Sequence, residues 1–134
     1  MKRRTPALAL PSALAAGLLE DGERALFLVR KNLLGEELLE IPCAEVMPGE
    51  NPVAALVAAF RAQAGIDAEV HEILFQRRHN AGTRKRRAII PALAFKVTAK
   101  SHAVRVAPEF SGYKWLAPKD MAGKKLSRKS EWLR

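Results

Sequence analysis

The sequence is poor in cysteine, in aromatic residues and in long apolar runs. Its one cysteine, Cys43, excludes an intrachain disulfide and fits a reducing compartment. Its three histidines are scattered and have no cysteine partners, so no zinc motif is present. No uncharged apolar run of about 18 residues follows the N-terminal segment, so the sequence predicts no membrane span and no membrane partner.

The N-terminal segment resembles a signal peptide only superficially. A basic start leads into apolar residues up to Leu19, but two prolines interrupt the run. Residues 12–19 also have the pattern of a first strand, which cleavage would remove. We therefore interpret residues 1–134 as a single domain in which residues 1–11 form a flexible basic segment, and we expect a cytoplasmic protein.

Acidic residues are absent between Ile73 and Pro108, although charged residues make up an ordinary 28% of the chain. The net charge is +9, from 23 basic and 14 acidic residues. Residues 1–72 contain 7 basic and 11 acidic residues, whereas residues 73–134 contain 16 and 3. This asymmetry points to a polyanionic partner, and it carries no information about the fold.

Apolar stretches separated by turn signals predict strands, one helix, further strands and a short C-terminal helix. The alanine-rich run from Val53 to Ala64 predicts the helix, with Asn51 as its N-cap and Gly65 as its left-handed C-cap. Strands are predicted at residues 12–19, 24–30, 37–41, 44–47, 68–76, 87–97 and 113–116. This order indicates a mixed α/β domain.

Some positions in this pattern carry specific expectations. Leu56 and Phe60 share one helix face and are expected in the core. Pro91, inside the predicted strand 87–97, predicts an edge position or a bulge there. A short helix is predicted from Pro118, and the C-terminal tail ends amphipathically with Trp132.

The stretch from Glu40 to Ile66 resembles the signature of the Nudix (MutT-like) hydrolase family. That signature reads Gly-x5-Glu-x7-Arg-Glu-U-x-Glu-Glu-x-Gly-U, where U is a bulky aliphatic residue. Here Glu50 matches the first glutamate, and Gly65 with Ile66 closes the motif. Upstream, Glu40-Ile41-Pro42 is similar to the family's Glu-Leu-Pro. The resemblance covers most of the chain and implies a Nudix-like α/β/α sandwich with a mixed β-sheet.

Most of the residues that make the family's motif catalytic are missing. Ala58 stands in place of the arginine, while Ala59, Ala62 and Gln63 stand in place of glutamates. The resemblance implies hydrolysis of a diphosphate linkage with divalent cations, and Mg²⁺ requires hard oxygen ligands. Positions i, i+3 and i+4 share one helix face. Ala59, Ala62 and Gln63 occupy these positions, so that face has no carboxylate. The sequence therefore predicts an impaired or inactive metal-dependent pyrophosphohydrolase.

Any metal ion would depend mainly on oxygen ligands that precede the helix. The candidate ligands for a weakly held Mg²⁺ or Mn²⁺ are Glu50, Glu45, Glu40 and Gln63, with Glu109 as a further candidate. Glu50 has an equally weighted alternative role, as an acidic residue that the helix dipole favours near the N-terminus. No other cofactor is predicted, and no catalytic residue can be assigned.

Two basic clusters flank one predicted turn. If the strands on either side pair as a hairpin, the clusters meet and form a dense positive patch suited to phosphate oxygens. The alternative is a solvated basic loop. The candidate phosphate-binding or nucleic-acid-binding residues are Arg77, Arg78, Arg84, Lys85, Arg86 and Arg87.

Three functions fit these observations. We favour a Nudix-fold protein that binds a nucleotide or RNA through the basic patch, and the resemblance offers a precedent in the small subunit of the metazoan pre-mRNA cleavage factor. The second is a divergent Nudix hydrolase acting on nucleoside diphosphate-linked compounds. The third is a protein-interaction module whose Ala59 and Ala62 face packs on a partner, which makes a homodimer a possible state.

Overall fold

The computed structural model describes residues 10–134, in which seven strands and one α-helix follow the predicted order. Two short 3₁₀ segments complete the chain, Pro118–Met121 and Arg128–Leu133. The regular elements are β1 Ala13–Asp21, β2 Arg24–Lys31, β3 Glu37–Glu40, β4 Cys43–Val46, α1 Pro52–Ala64, β5 Ala68–Asn80, β6 Ile89–Ala99 and β7 Gly112–Leu116. Of the predicted flexible segment 1–11, residues 1–9 lie outside the described residues.

The strands form one mixed sheet in the order β3-β2-β1-β6-β5. β1 and β6 run parallel, whereas the other pairs are antiparallel. β1 is central because β6 occupies one edge, while the other edge is shared by β4 along Ala13–Ala16 and by β2 at Glu20 and Asp21. β7 pairs with β2. The predicted mixed α/β architecture is therefore confirmed.

The helix α1 begins and ends as the sequence predicts. The Asn51 side chain accepts hydrogen bonds from the amides of Val53 and Ala54, and Gly65 ends the helix with a φ of 66°. Leu56 and Phe60 are fully buried against the sheet. A Cβ at Gly17 of β1 would lie 2.4 Å from the Phe60 ring. The missing side chain at this one position therefore lets Phe60 of the helix pack directly against the backbone of β1.

The opposite face of the sheet is covered by the C-terminal part of the chain. Alternate residues of β2 point to opposite faces, so Leu26 and Leu28 pack under α1 while Phe27 and Val29 pack with Trp132. Trp132 belongs to the segment Arg128–Leu133, which is a 3₁₀ helix. The predicted three-layer sandwich is confirmed, with a 3₁₀ segment on this face.

The expectation for Pro91 needs correction. β6 lies inside the sheet between β1 and β5, so it is not an edge strand. Pro91 pairs with Arg78 of β5, and the pairing with β1 begins only at the next residue, Ala92. Proline is tolerated there because β1 does not pair with β6 at that position, so no hydrogen bond from the missing N–H is lost. The register shifts lie in β5, between Val70 and Phe75.

Across residues 10–134, no helix is both long and apolar enough to cross a bilayer.

Candidate phosphate-binding cleft and the neutral helix face

Glu40 is buried in a structural ion pair. The residue is 1% exposed, and its carboxylate accepts two hydrogen bonds from the Arg30 guanidinium, at 2.9 and 3.3 Å. The Ser127 hydroxyl donates a third, at 2.7 Å. The hydrogen bond with Glu40 raises the pKa of Arg30, although burial acts in the opposite direction. The Glu40 carboxylate is thus engaged in joining β2, β3 and the C-terminal region.

Gln63 joins the helix to β4. Its side-chain nitrogen donates to the carbonyl of Cys43 at 2.8 Å, and its oxygen accepts from the amide of Cys43 at 3.3 Å. The Gln63 amide therefore satisfies the backbone of Cys43 on the edge of β4 that faces away from its partner strand β1. The Cys43 thiol beside it is buried, and burial together with the charge of Glu40 raises the thiol's pKa to about 12. The thiol stays protonated at neutral pH.

A shallow cleft of about 510 Å³ lies on the exposed face of α1. Its helical lining is neutral, and its charged groups are Glu45, Glu50 and Lys129. Glu50 accepts a hydrogen bond from the amide of Met47 at 2.9 Å, which closes the turn before the helix. The alanines that line the cleft are Ala44, Ala55, Ala58, Ala59 and Ala62.

The residues around this cleft do not fit a divalent cation. Two carboxylates and one ammonium group face it, and the Gln63 oxygen is already hydrogen-bonded. Within residues 10–134, no group of three or more histidine, cysteine, aspartate or glutamate residues is placed to hold a metal ion. The structure brings Glu45, Glu50 and Gln63 to one cleft. Glu40 and Glu109 do not line it.

The hairpin formed by β5 and β6 carries the basic clusters. The loop between the strands is held by Asn80, whose side-chain oxygen accepts from the amides of Gly82 and Ala88, both at 3.0 Å. The Asn80 nitrogen donates to the carbonyl of Thr83 at 3.1 Å. These bonds satisfy the loop backbone with an internal partner, so the basic side chains are presented on an ordered turn.

Gly82 is required at this turn for close backbone contact. A Cβ at this position would lie 2.1 Å from the carbonyl oxygen of Arg86 and 2.9 Å from the amide nitrogen of Ala88. The Thr83 hydroxyl accepts from the amide of Arg86 at 2.9 Å, which tightens the same turn. The loop conformation therefore depends on a small residue and on local side-chain bonds.

A cleft of about 620 Å³ opens at this end of the hairpin, and four arginines line it. One carboxylate, that of Glu131, shares the lining. Across the described part of the chain, none of these four guanidinium groups forms a salt bridge. The four arginines, called the hairpin cleft arginines below, are Arg78, Arg84, Arg87 and Arg128.

His79 and Trp132 form the inner wall of this cleft. His79 is buried, and burial together with the positive charge of Arg128 lowers its pKa. The Trp132 indole donates to the carbonyl of Lys129 at 2.6 Å and packs near the Phe75 ring, with centroids 6.3 Å apart. The cleft thus has a neutral, packed inner wall and a charged rim.

Solved structures share this arrangement of sheet and helix. A MutT NUDIX hydrolase from Burkholderia pseudomallei superposes with a TM-score of 0.71 at 20% identity, over 87% of this chain and 90% of that one. The chain has the Nudix fold. The E. coli ORF135 protein is similar at a TM-score of 0.68 and 22% identity, over 86% of this chain and 79% of its own. A MutT protein from Methanosarcina mazei Go1 gives 0.65 and 15%, over 91% and 88%.

No family model matches the sequence, and no curated protein matches it. At these identities the likeness concerns the Nudix fold alone, which confirms the fold that the Glu40–Ile66 stretch predicted.

Within the Nudix fold, the predicted basic residues separate into two groups. Arg78, Arg84 and Arg87 line the hairpin cleft. Arg77, Lys85 and Arg86 do not, and the Arg77 guanidinium instead lies 4.8 Å from the centre of the Phe75 ring. The alternation of side chains along a strand separates neighbours such as Arg77 and Arg78.

The sequence marked Asn80 only as part of a polar turn, did not single out Glu131 or Ser127, and could not place Arg128. An asparagine between two strand-like runs is a turn signal, so the role of Asn80 had a detectable local cause. Glu131, Ser127 and Arg128 lie far along the chain from the residues that they meet, and no local pattern predicts such contacts.

Proposed function

We propose that this protein uses the Nudix fold to bind the phosphates of a nucleotide or of RNA at the hairpin cleft, and that it is impaired or inactive as a metal-dependent pyrophosphohydrolase. The observation that carries the proposal is the set of four arginines around one cleft, none of them in a salt bridge within residues 10–134.

The chemistry of guanidinium groups supports this ligand class. An arginine presents a planar set of donors that matches phosphate oxygens, and charge-assisted hydrogen bonds are stronger than neutral ones. An arginine without a carboxylate partner loses no ion pair when it binds an anion. The cleft lining also includes Thr83, whose hydroxyl accepts from the Arg86 amide and keeps its own proton to donate to a phosphate oxygen.

The α1 side supports the second half of the proposal. A divalent cation that binds a phosphate needs several anionic oxygen ligands. The open face of α1 carries alanines at the cleft and therefore provides no such ligand. The remaining polar groups there are engaged, since Gln63 binds the backbone of Cys43 and Glu50 binds the amide of Met47.

The test measures binding of a fluorescent single-stranded RNA by anisotropy over a series of salt concentrations. We expect the logarithm of the affinity to fall linearly with the logarithm of salt. Arg84→Gln should weaken binding by roughly tenfold, because it removes a cleft guanidinium. Arg86→Gln is the matched control: it removes the same charge two residues away, outside the cleft lining, and should have a smaller effect.

Two results would contradict the proposal. Equal losses for Arg84→Gln and Arg86→Gln would indicate diffuse attraction to a basic surface, without a site in the cleft. Absence of binding at low salt, for the RNA and for a nucleoside diphosphate alike, would exclude a phosphate site in the cleft. A nucleoside diphosphate that displaces the RNA would identify the nucleotide as the ligand, whereas failure to displace it would identify the longer polymer.

A second candidate function is a divergent Nudix hydrolase, favoured by two carboxylates, Glu45 and Glu50, in the α1 cleft. Several of the similar solved structures are Nudix hydrolases. This function requires metal-dependent phosphate release from nucleoside diphosphate-linked compounds, lost in Glu50→Gln. No turnover over a broad substrate panel with Mg²⁺ and Mn²⁺ would exclude it and would leave the binding function standing.

A further inference from the structure

β5 is the outermost strand on its side of the sheet. It pairs with β6 along one edge, and its other edge has no strand partner within residues 10–134. With 13 residues, β5 is the longest strand among the described residues. A long edge with free amide and carbonyl groups is a template for pairing with another chain unless it is blocked.

The centre of this edge is apolar. The register with β6 shifts between Val70 and Ile73 and again between Ile73 and Phe75, so two bulges lie side by side. Ile73 and Leu74 are 48% and 44% exposed, and neither belongs to either core cluster. The bulges therefore leave two large aliphatic side chains without an intramolecular partner at the middle of the strand.

The ends of the same strand carry opposite charges. Glu69 precedes Ile73 by four residues and Arg77 follows it by four. Glu69 pairs with Thr98 of β6, and Arg77 pairs with Ala92. Thr98 and Ala92 are an even number of residues apart, so they point to the same face of the sheet, and Ala92 packs in the core cluster of Trp132. Because paired residues share a face, both charged side chains lie on the face that Trp132 covers. Neither Glu69 nor Arg77 forms a salt bridge among the residues that the structure describes.

We propose that the protein forms a homodimer in which β5 pairs antiparallel with β5 of a second copy about a two-fold axis at Ile73. In this arrangement Glu69 of each copy lies opposite Arg77 of the other, which gives two identical ion pairs on one face of the joined sheet. The Ile73 side chains of the two copies meet at the axis, and Leu74 of each copy lies one position away, opposite Glu72 of the other. A strand with such a charge pattern is complementary to itself, as an isologous interface requires.

The bulges define how the edges would meet. Bulges are one of the devices that block an edge. About this axis, however, the bulge between Val70 and Ile73 of each copy lies opposite the bulge between Ile73 and Phe75 of the other, so the register is kept on both flanks. Backbone hydrogen bonds would form on those flanks, while Ile73 packs at the axis. Antiparallel pairing also directs the two hairpin loops to opposite ends of the dimer. Arg84 and Arg87 of the hairpin cleft then lie beyond the paired residues 69–77, and the proposed dimer does not rest on the proposed function.

The test measures the dimer dissociation constant by sedimentation velocity over a concentration series. Ile73→Lys should raise the constant by about tenfold or more, because it places two like charges at the axis. Leu33→Lys is the control, since Leu33 is a fully exposed leucine far from β5 in the sequence and should leave the constant unchanged.

Charge exchange gives the sharper readout. Glu69→Arg alone, or Arg77→Glu alone, sets two like-charged pairs across the axis, so each should weaken the homodimer by roughly tenfold. An equimolar mixture of these two variants has opposite charges at both pairs and should dimerise like the wild type. A monomeric wild type at the highest soluble concentration would overturn the proposal. A dimer that is insensitive to Ile73→Lys, or a mixture no stronger than its components, would do the same.

Discussion

The open face of α1 and the loop end of the β5–β6 hairpin use polar residues in opposite ways. Near α1, Gln63 and Glu40 bind the backbone or another buried side chain, and the helix face itself is alanine. At the hairpin, Asn80 and Thr83 bind the loop backbone, and the arginines beside them have no carboxylate partner within residues 10–134. Near α1 the polar groups hold the structure together. At the hairpin the polar groups hold the loop in place, and the loop presents charged side chains to solvent.

This difference separates a scaffold from its chemistry. A helix with an N-cap, a C-terminal glycine and two large core residues keeps its position whether or not its outer face carries carboxylates, because the buried face provides the packing energy. Anionic ligands are needed only for a metal, so their loss leaves the fold intact. The positive cleft elsewhere on the same scaffold is the site of the proposed phosphate binding.

The largest expected effect concerns the structural use of Glu40. Glu40→Ala removes the partner of Arg30 and one acceptor of Ser127, so the free energy of unfolding should fall by about 2–3 kcal/mol in urea denaturation. Glu37→Ala breaks an exposed pair with Lys114 and should change stability little. Equal effects of the two substitutions would show that the buried pair has no special structural weight.

An intermediate effect is expected from returning a carboxylate to the α1 face. Ala62 is exposed, so Ala62→Glu should fold normally and place a third carboxylate beside Glu45 and Glu50. Calorimetry should show Mn²⁺ affinity about tenfold higher than that of the wild type, or about 1.4 kcal/mol. Val53→Glu adds the same charge at the exposed start of the helix and should not do this. An equal gain in both variants would mean that net charge alone attracts the ion.

The smallest effect is a pH dependence at the hairpin cleft. Burial and Arg128 lower the pKa of His79 below its ordinary value of 6.5, so the unfolded chain takes up a proton before the folded chain does. The free energy of unfolding should therefore fall as the pH drops from 6.5 towards the lowered pKa. The slope cannot exceed about 1.4 kcal/mol per pH unit for one proton.

The control for this prediction is His79→Gln, which should flatten the stability profile between pH 6.5 and about 5, above the range in which most carboxylates titrate. An unchanged slope in His79→Gln would assign the pH dependence to another group. Replacing Arg128 by glutamine should reduce the slope, because the positive charge beside the imidazole contributes to the shift.

Local sequence was enough for the helix and for most strands. Asn51 and Gly65 predicted the helix limits to within one residue, since capping depends on side chains next to the helix. The expectation for Pro91 was wrong because strand order is a property of the whole sheet. Pro91 is tolerated in an inner strand because β1 begins to pair with β6 only at the next residue, Ala92.

The candidate site was predictable in part. The paired strands bring Arg78, Arg84 and Arg87 together, and a hairpin is a local structure that sequence patterns indicate well. The contribution of Arg128 was not predictable, because it depends on how the C-terminal 3₁₀ segment packs across the sheet. The same packing brings Ser127 to Glu40 and converts a candidate metal ligand into a buried structural acid.

The sequence by itself determined the fold, the neutral outer face of α1 and the concentration of positive charge after Ile73, because these follow from residue type, spacing and local capping. Only the tertiary structure decided which arginines share a cleft, which acid is buried and which strand has a free edge. Those outcomes depend on contacts between residues that are distant in the chain, and their geometry is set by sheet order and by packing of the C-terminal segment.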